Sequence, residues 1–181
     1  MLNVKTKILT IPGYGGSGEK HWQSLWEKEF DNILRVEQDN WDNPQREQWV
    51  EKLNSYINKN EEYILVGHSL ACSLISHWAL KSDSSAIVAA LLVSPADVDS
   101  AKHTPEEVRN FMPMPIKQLP FKSIVVASDN DPYVSLERAE FFAKSWGSDF
   151  INIGSYGHIN AESELSSWEF GKKLVNELKQ K

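Results

Sequence analysis

Short β-forming runs alternate with stretches of helical periodicity along most of this chain, and that rhythm limits the folds open to it. The run AIVAALLV is almost wholly apolar, which is typical of a strand covered on both faces. Alternating strands and helices with short connections predict a mostly parallel sheet with helices on both faces. The six predicted strands are residues 7–11, 33–37, 63–66, 86–93, 121–127 and 149–153.

Length and composition indicate the number of domains and the partners that can be excluded. The 181 residues suit one domain spanning 1–181, and 41% hydrophobic residues with seven tryptophans can form a substantial core. The net charge is −6 and Lys and Arg form no cluster, which argues against a nucleic-acid or anionic-membrane partner. Cys72 is the only cysteine, and no run suits a signal peptide or a membrane span. We therefore expect a cytoplasmic protein.

Several segments outside the strands carry specific expectations. Pro44 suits the first turn of a helix, with Asp42 or Asn43 as its N-cap. Later helices are predicted over residues 136–146 and 165–178. The connection 94–120 contains five prolines, and it either partly covers a site or simply passes around the sheet edge.

The segment EYILVGHSLAC, residues 62–72, contains the candidate nucleophile. A predicted strand meets Gly67-His68-Ser69-Leu70-Ala71, and a helical pattern follows. This is nearly G-x-S-x-G, the sharp turn that lifts a serine off the end of a strand. The alternative is that Ser69 is only a helix N-cap. Ala71 replaces the final glycine, and its extra methyl fits if the neighbouring strand leaves room.

An activated serine needs a base, and the base needs an orienting acid. Asp131 follows the fifth predicted strand and His158 the sixth, which gives the order serine, acid, histidine found in α/β-hydrolases. Each has a simpler explanation: turn chemistry before Pro132 for the acid, and a solvated loop for the histidine. Asp97 and Asp129 also follow strands and are competing acids.

The segment GYGGSG, residues 13–18, follows the first strand and has two interpretations. In a hydrolase it supplies an oxyanion donor, the N–H of Tyr14, beside the N–H of Leu70. It also matches G-x-G-x-x-G, with Glu37 about twenty residues on, as in a Rossmann-type dinucleotide-binding domain. His21, at the start of the first helix, and Trp41, after the second strand, are candidates to line a pocket. A packing role alone is the alternative for Trp41.

Together these segments resemble a known family. PGYGGSGEKHWQSLWE, QDNWDNP, VGHSLAC, VSPAD, SDNDPYV and GHIN are similar to the small serine hydrolases that include an animal retinoblastoma-binding protein and many bacterial members. The resemblance implies a compact, six-stranded α/β-hydrolase fold without a large cap domain. It also implies that Ser69, Asp131 and His158 are the catalytic residues, as the placement argument predicts. Ala71, where many members have glycine, is the visible departure.

The predicted function is that of a serine hydrolase. It would cleave a small-molecule ester or amide through an acyl-enzyme, with carboxylesterase-like chemistry and peptidase activity as a variant of it. No cofactor and no metal is expected. The alternatives are a non-catalytic, partner-binding protein on the same fold and the Rossmann-type domain. A protein partner, the substrate and the oligomeric state are not determined by the sequence.

Overall fold

The computed structural model describes residues 6–180, and within them six strands form one sheet. The strands are β1 (Lys7–Ile11), β2 (Ile33–Arg35), β3 (Tyr63–His68), β4 (Ile87–Val93), β5 (Lys122–Ala127) and β6 (Asp149–Asn152). Their order is β2-β1-β3-β4-β5-β6, and every neighbouring pair is parallel. The predicted six-stranded α/β fold is confirmed.

Helices cover both faces of this sheet. They are α1 (Trp22–Glu29), α2 (Arg46–Ser55), α3 (Leu70–Lys81), α4 (Leu136–Trp146) and α5 (Glu169–Lys179). Strand side chains alternate between the faces. Ile64 and Val66 therefore join a core with α1 and α5, whereas Leu65 joins the larger core with α2, α3 and α4. Because β3 is covered on both sides, its sequence is almost continuously apolar.

The strand order creates a crevice beside the middle of the sheet. From β1 the chain moves outward to β2, and it then returns to place β3 on the other side of β1. At such a switch point the connections leave in opposite directions, and a crevice opens beyond the carboxyl ends of the two strands. The glycine-rich loop after β1 and the turn after β3 meet there.

The start of α2 differs from the sequence-based prediction. Pro44 lies outside the helix, which begins at Arg46 with Gln45 as N-cap in an extended conformation. The Arg46 N–H donates instead to Asn110 Oδ1 at 2.8 Å. A distant residue therefore satisfies the backbone N–H of Arg46 at the helix start. The prediction that Asp42 or Asn43 caps this helix is wrong.

The last helix also begins later than predicted, at Glu169 rather than near residue 165. Glu164, Ser166 and Trp168 have positive φ angles of 52°, 50° and 39°. Left-handed backbone interrupts a helix. Leu165 and Trp168 pack against the same core as α5 from a loop, so their apolar spacing imitates an extra helical turn.

The long connection after β4 contains one short 3-10 helix, Glu106–Phe111, and no separate domain. Val108, Phe111, Met114 and Leu119 are buried in the core on the α3 side. The described chain thus has no large cap over the carboxyl edge of the sheet. Across residues 6–180, no helix combines the length and apolarity required to cross a membrane.

Candidate active site

Ser69 lies on a strained turn between β3 and α3. Its φ is 59° and ψ −120°, a conformation that non-glycine residues adopt rarely and mostly at functional sites. The Ser69 N–H donates to the Val93 carbonyl at 2.9 Å, which ties the turn to β4. The serine is therefore held beyond the end of its strand on a sharp turn, residues 67–71, which we call the elbow.

Ala71 lies beside the empty Cβ position of Gly67. A Cβ at Gly67 would lie 2.6 Å from Ile75 Cδ1, but 3.5 Å from Ala71 Cβ, which is ordinary contact. The close approach that requires glycine in this turn is therefore the one between Gly67 and Ile75. The methyl at position 71 occupies space that the absent side chain of Gly67 leaves open.

The structure brings Ser69, His158 and Asp131 together in a chain of hydrogen bonds. His158 Nε2 lies 2.7 Å from Ser69 Oγ, and Nδ1 lies 2.9 Å from both carboxylate oxygens of Asp131. A carboxylate only accepts, so the imidazole hydrogen is on Nδ1 and Nε2 can accept the serine proton. The Asp131 side chain is fully buried, and the Tyr133 N–H donates to its Oδ1 at 2.8 Å.

The competing acids are engaged elsewhere. Asp97 is buried and accepts from Arg138 Nε and Nη2 at 2.8 and 3.1 Å. Asp129 accepts from Ser155 Oγ at 2.6 Å. Asp131 is the one of the three that contacts His158.

The glycine-rich loop packs directly against the elbow. A Cβ at Gly13 would lie 2.8 Å from the His68 carbonyl oxygen and 3.1 Å from Leu70 N, so the backbone approach requires glycine here. The N–H groups of Gly15 and Gly16 donate to the carbonyls of Trp41 and Gly13. The peptide carrying the Tyr14 N–H is thereby placed beside the start of α3, where Leu70 begins the helix.

The loop does not have the geometry of a dinucleotide-binding turn. In that motif the glycines open the helix whose N-terminus faces the pyrophosphate. Here α1 begins only at Trp22, four residues after Gly18, with His21 as N-cap. The loop instead packs against the turn that carries Ser69.

These elements enclose a cleft of about 540 Å³ at the switch point. One side is formed by the glycine-rich loop and the elbow, and the opposite side by residues 102–105 and Val108 of the long connection. Tyr14 and Tyr133 line it with about 40% of each residue exposed. The long connection therefore forms a wall of the cleft and does not simply pass around the sheet edge.

Two side chains that the sequence analysis did not use hold the backbone of the histidine loop. His68 Nε2–H donates to the His158 carbonyl at 2.8 Å, and Trp22 Nε1–H donates to the Ile159 carbonyl at 2.8 Å. Both bonds are buried, and Ile159 has the unusual φ of 48° for a β-branched residue. Consecutive carbonyls are thus fixed by donors from α1 and from the elbow.

The neighbouring residue, Gln23, connects the same elements. Its Nε2 donates to the carbonyls of Ile11, at the end of β1, and Val66, within β3, at 3.2 and 3.0 Å. Its Oε1 accepts from Ser17 Oγ at 2.6 Å. The motif HWQ is therefore a buried hydrogen-bonding unit. The signal in the sequence was the run of polar and indole donors at the start of a helix that packs on the sheet.

His21 lines the cleft, and Trp41 does not. His21 Nδ1 accepts from the Gln23 N–H at 3.2 Å and caps α1. Trp41 lies behind the glycine-rich loop, with its ring against Trp49 at 5.6 Å between centroids and beside Gly16. Of the two roles open to Trp41, lining a pocket and packing alone, these contacts favour packing.

Other features of the described residues add no second centre. Across residues 6–180, no group of three or more His, Cys, Asp or Glu side chains could hold a metal ion. Cys72 is fully buried in α3, and burial raises the pKa of its thiol well above the usual range. A thiol held protonated in this way is a poor nucleophile. A second cleft of about 560 Å³ lies at the opposite edge of the sheet, between α1 and α5.

The sheet order, the elbow and the position of the cleft define an α/β-hydrolase fold. The chain belongs to the serine hydrolase family, whose sequence profile matches residues 8–177. A comparison with functionally curated proteins gave no significant match.

Solved structures agree with this fold. A protein described as a YdeN-like hydrolase from Pectobacterium atrosepticum is 29% identical, with a TM-score of 0.84 over 96% of this chain and 90% of the other. The ydeN gene product of Bacillus subtilis is 19% identical, with a TM-score of 0.78 over 98% of this chain and 100% of the other. Est1E from Butyrivibrio proteoclasticus is 16% identical, with a TM-score of 0.74 over 99% and 91%.

Proposed function

We propose that this protein is a serine hydrolase that cleaves a small ester or amide by a Ser69–His158–Asp131 triad. The observation that carries the proposal is the continuous chain of hydrogen bonds from Ser69 Oγ through both imidazole nitrogens to a fully buried carboxylate. Membership of the serine hydrolase family supports the reaction class. The bacterial relatives support it further, whereas kinship with the animal protein rests on the sequence motifs alone.

The steps follow from the placement of the groups. His158 Nε2 takes the Ser69 proton as Oγ attacks the substrate carbonyl carbon, and the N–H groups of Tyr14 and Leu70 stabilise the oxyanion. The protonated His158 then gives its proton to the leaving group. Water, deprotonated by the same nitrogen, cleaves the acyl-enzyme and restores Ser69 while the acid departs. Asp131 keeps the ring oriented and stabilises its cation.

A cleft of about 540 Å³ has the size of small-molecule sites, which favours a small substrate. Small esters are the first class to test, and amides or short peptides are the second. A cytoplasmic location and a further protein partner stay predictions from the sequence.

Labelling with a fluorophosphonate probe tests the proposal. An activated serine reacts, whereas a non-catalytic binding protein does not. We expect Ser69→Ala to abolish both labelling and hydrolysis of p-nitrophenyl acetate, with Tm near that of the unchanged protein. Ser73→Ala is the matched control, because Ser73 is buried one turn along α3 and its removal should leave labelling complete. Full labelling of Ser69→Ala would show that another residue is the nucleophile.

A further inference from the structure

Another cleft adjoins the cleft that contains Ser69. It has a volume of about 510 Å³ and lies between Tyr133 on one side and the segment 155–163 on the other. Tyr133, His158 and Asn160 line both clefts, whereas Ser69 lines only the first. The two spaces therefore meet at the imidazole of the triad. We call this adjoining space the His158 cleft.

The proposed mechanism determines which part of a substrate would enter the His158 cleft. The N–H groups that hold the oxyanion belong to Tyr14 and Leu70, which line the cleft of Ser69 and not the adjoining one. His158 Nε2 lies 2.7 Å from Ser69 Oγ and gives its proton to the leaving atom. The leaving atom must therefore be beside the imidazole, and the group attached to it can continue along the ring into the His158 cleft.

Two exposed tyrosines give the His158 cleft aromatic walls. Tyr133 and Tyr156 both line it, and they are 40% and 45% exposed. The Tyr133 ring lies against the ring of His158, with centroids 4.5 Å apart. The backbone of Tyr156 is held in place, because Ser163 Oγ–H donates to its carbonyl at 2.6 Å. Aromatic faces that stay open in a cleft attract cations, and they are the usual means of recognising quaternary ammonium groups.

The charges around the His158 cleft are negative. Glu162 lines it and is exposed, and across residues 6–180 its carboxylate forms none of the salt bridges found. Asp129 accepts from the Oγ of Ser155, another lining residue, at 2.6 Å. No Lys or Arg is among the described residues that line this cleft, since Lys102 lines only the cleft of Ser69. A field of this sign attracts cations.

We propose that the His158 cleft binds the leaving group of the substrate and selects leaving groups that carry a positively charged nitrogen, as in esters of amino alcohols. The aromatic faces of Tyr133 and Tyr156 contact the cation, and the Glu162 carboxylate compensates its charge. The proposal rests on the proposed hydrolase function and names its substrate class. These three side chains set specificity and take no part in the proton transfers.

Acetylthiocholine and neohexyl thioacetate test it, because the second ester has the same shape with a carbon atom in place of the ammonium nitrogen. The ammonium group also activates the leaving thiol, so each kcat/KM is divided by the rate constant for alkaline hydrolysis of the same ester. We expect the corrected ratio to favour acetylthiocholine by about tenfold, which corresponds to about 1.4 kcal/mol. A corrected ratio of one or below overturns this inference and leaves the hydrolase function intact. Absence of turnover together with absence of fluorophosphonate labelling would instead remove the proposed function.

Two substitutions of Tyr156 test the aromatic contact. Tyr156→Leu removes the ring face, so the ratio of kcat/KM for acetylthiocholine to that for neohexyl thioacetate should fall about threefold, with Tm nearly unchanged. Tyr156→Phe keeps the ring face and should keep the ratio. The intrinsic reactivity of each ester is the same for every variant, so the uncorrected ratios can be compared. Equal losses on both esters in Tyr156→Leu would show a structural role alone and contradict the proposal.

Glu162→Gln tests the charge at an exposed position, where folding is not at risk. It should lower the same ratio, and the difference from the unchanged protein should shrink in high salt. Glu164→Gln is the matched control, because Glu164 is an exposed glutamate of the same loop that does not line the cleft. Equal ratios for the two glutamate variants would overturn the role assigned to Glu162.

Inhibition measurements that need no turnover of a thioester complete the test. Choline should inhibit the hydrolysis of p-nitrophenyl acetate at a lower concentration than its neutral counterpart, neohexyl alcohol, and Tyr156→Leu should remove this difference. Equal inhibition by the two alcohols, or inhibition by neither, in a protein that labels normally would overturn the inference.

Discussion

At the residue scale, contacts separate side chains that look alike in sequence. Asp97 and Asp131 are both buried and both follow strands. Arg138 compensates the first, and His158 contacts the second. The placement of triad residues at strand ends could be predicted because parallel strands bring their carboxyl ends to one edge. The choice of acid depended on the resemblance of the DPY segment to a family motif, since the partner of Asp97 lies 41 residues away.

Asparagine substitutions test this assignment. Asp131→Asn should lower kcat on the order of 10⁴-fold, because the amide favours the wrong imidazole tautomer. Asp97→Asn should leave kcat within a few-fold but lower Tm, since it leaves the Arg138 cation with a weaker partner. Asp129→Asn should change little in either. Steady-state kinetics and thermal unfolding decide the matter, and a collapse confined to Asp97→Asn would move the acid to the fourth strand.

Ala71 and Gly67 give a second contrast at this scale. Ala71→Gly should retain kcat/KM and lose about 0.5–1 kcal/mol of stability, since it leaves the triad hydrogen bonds in place and glycine weakens the first turn of α3. Gly67→Ala should be worse on both measures, because its Cβ would meet Ile75 at 2.6 Å. A clear gain in kcat for Ala71→Gly would mean that the methyl does crowd the elbow.

At the scale of elements, α1 connects the glycine-rich loop with the histidine loop. Trp22 binds the Ile159 carbonyl, and Trp26 Nε1–H donates to the Ser167 carbonyl at 2.6 Å. These bonds span 137 and 141 residues of sequence, and for that reason periodicity could not reveal them. The strands were predictable because their apolar runs are local. The starts of α2 and α5 were not, since Asn110 and left-handed backbone at residues 164–168 fix them.

Trp22→Phe tests whether this link positions His158. The phenyl ring keeps most of the packing but not the N–H donor, so we expect a loss of about 1–2 kcal/mol and a fall in kcat of several-fold or more. Trp146→Phe is a close control: Trp146 is also fully buried and donates to the Pro115 carbonyl at 2.7 Å, but in the core on the other face of the sheet. It should lose similar stability and keep kcat. If Trp22→Phe and Trp146→Phe lowered kcat equally, the hydrogen bond from Trp22 would contribute to packing and stability but would not position His158.

At the scale of the whole molecule, burial keeps three histidines outside the triad in their neutral form. Burial is the main cause that lowers the pKa of His21, His68 and His77 below the usual value of 6.5. His21 and His68 lie at the cleft, whereas His77 is in α3 and its Nε2–H donates to the Phe111 carbonyl at 2.7 Å. Burial of these neutral rings therefore makes the folded state sensitive to acid.

The sign of that sensitivity follows from proton uptake. Below about pH 6.5 the unfolded chain protonates these rings and the folded chain does not, so unfolding takes up protons and stability falls as the pH falls. Carboxylates whose pKa is lowered in the fold, such as Glu29 and Glu61, act at lower pH, below about 4.5. The interval between pH 7 and 5 thus isolates the histidines.

His77→Gln tests the contribution of one buried histidine to acid sensitivity, at a position outside the cleft. The glutamine amide can donate to the Phe111 carbonyl as His77 Nε2 does, but it cannot take up a proton in the unfolded chain. We expect the free energy of unfolding, measured in urea between pH 7 and 5, to fall less steeply in the variant than in the unchanged protein. Each unit by which burial lowers the histidine pKa is worth about 1.4 kcal/mol of this difference at the acid end. Parallel pH profiles for the two proteins would show that His77 titrates alike in the folded and unfolded states, and acid sensitivity would then have to come from His21 and His68.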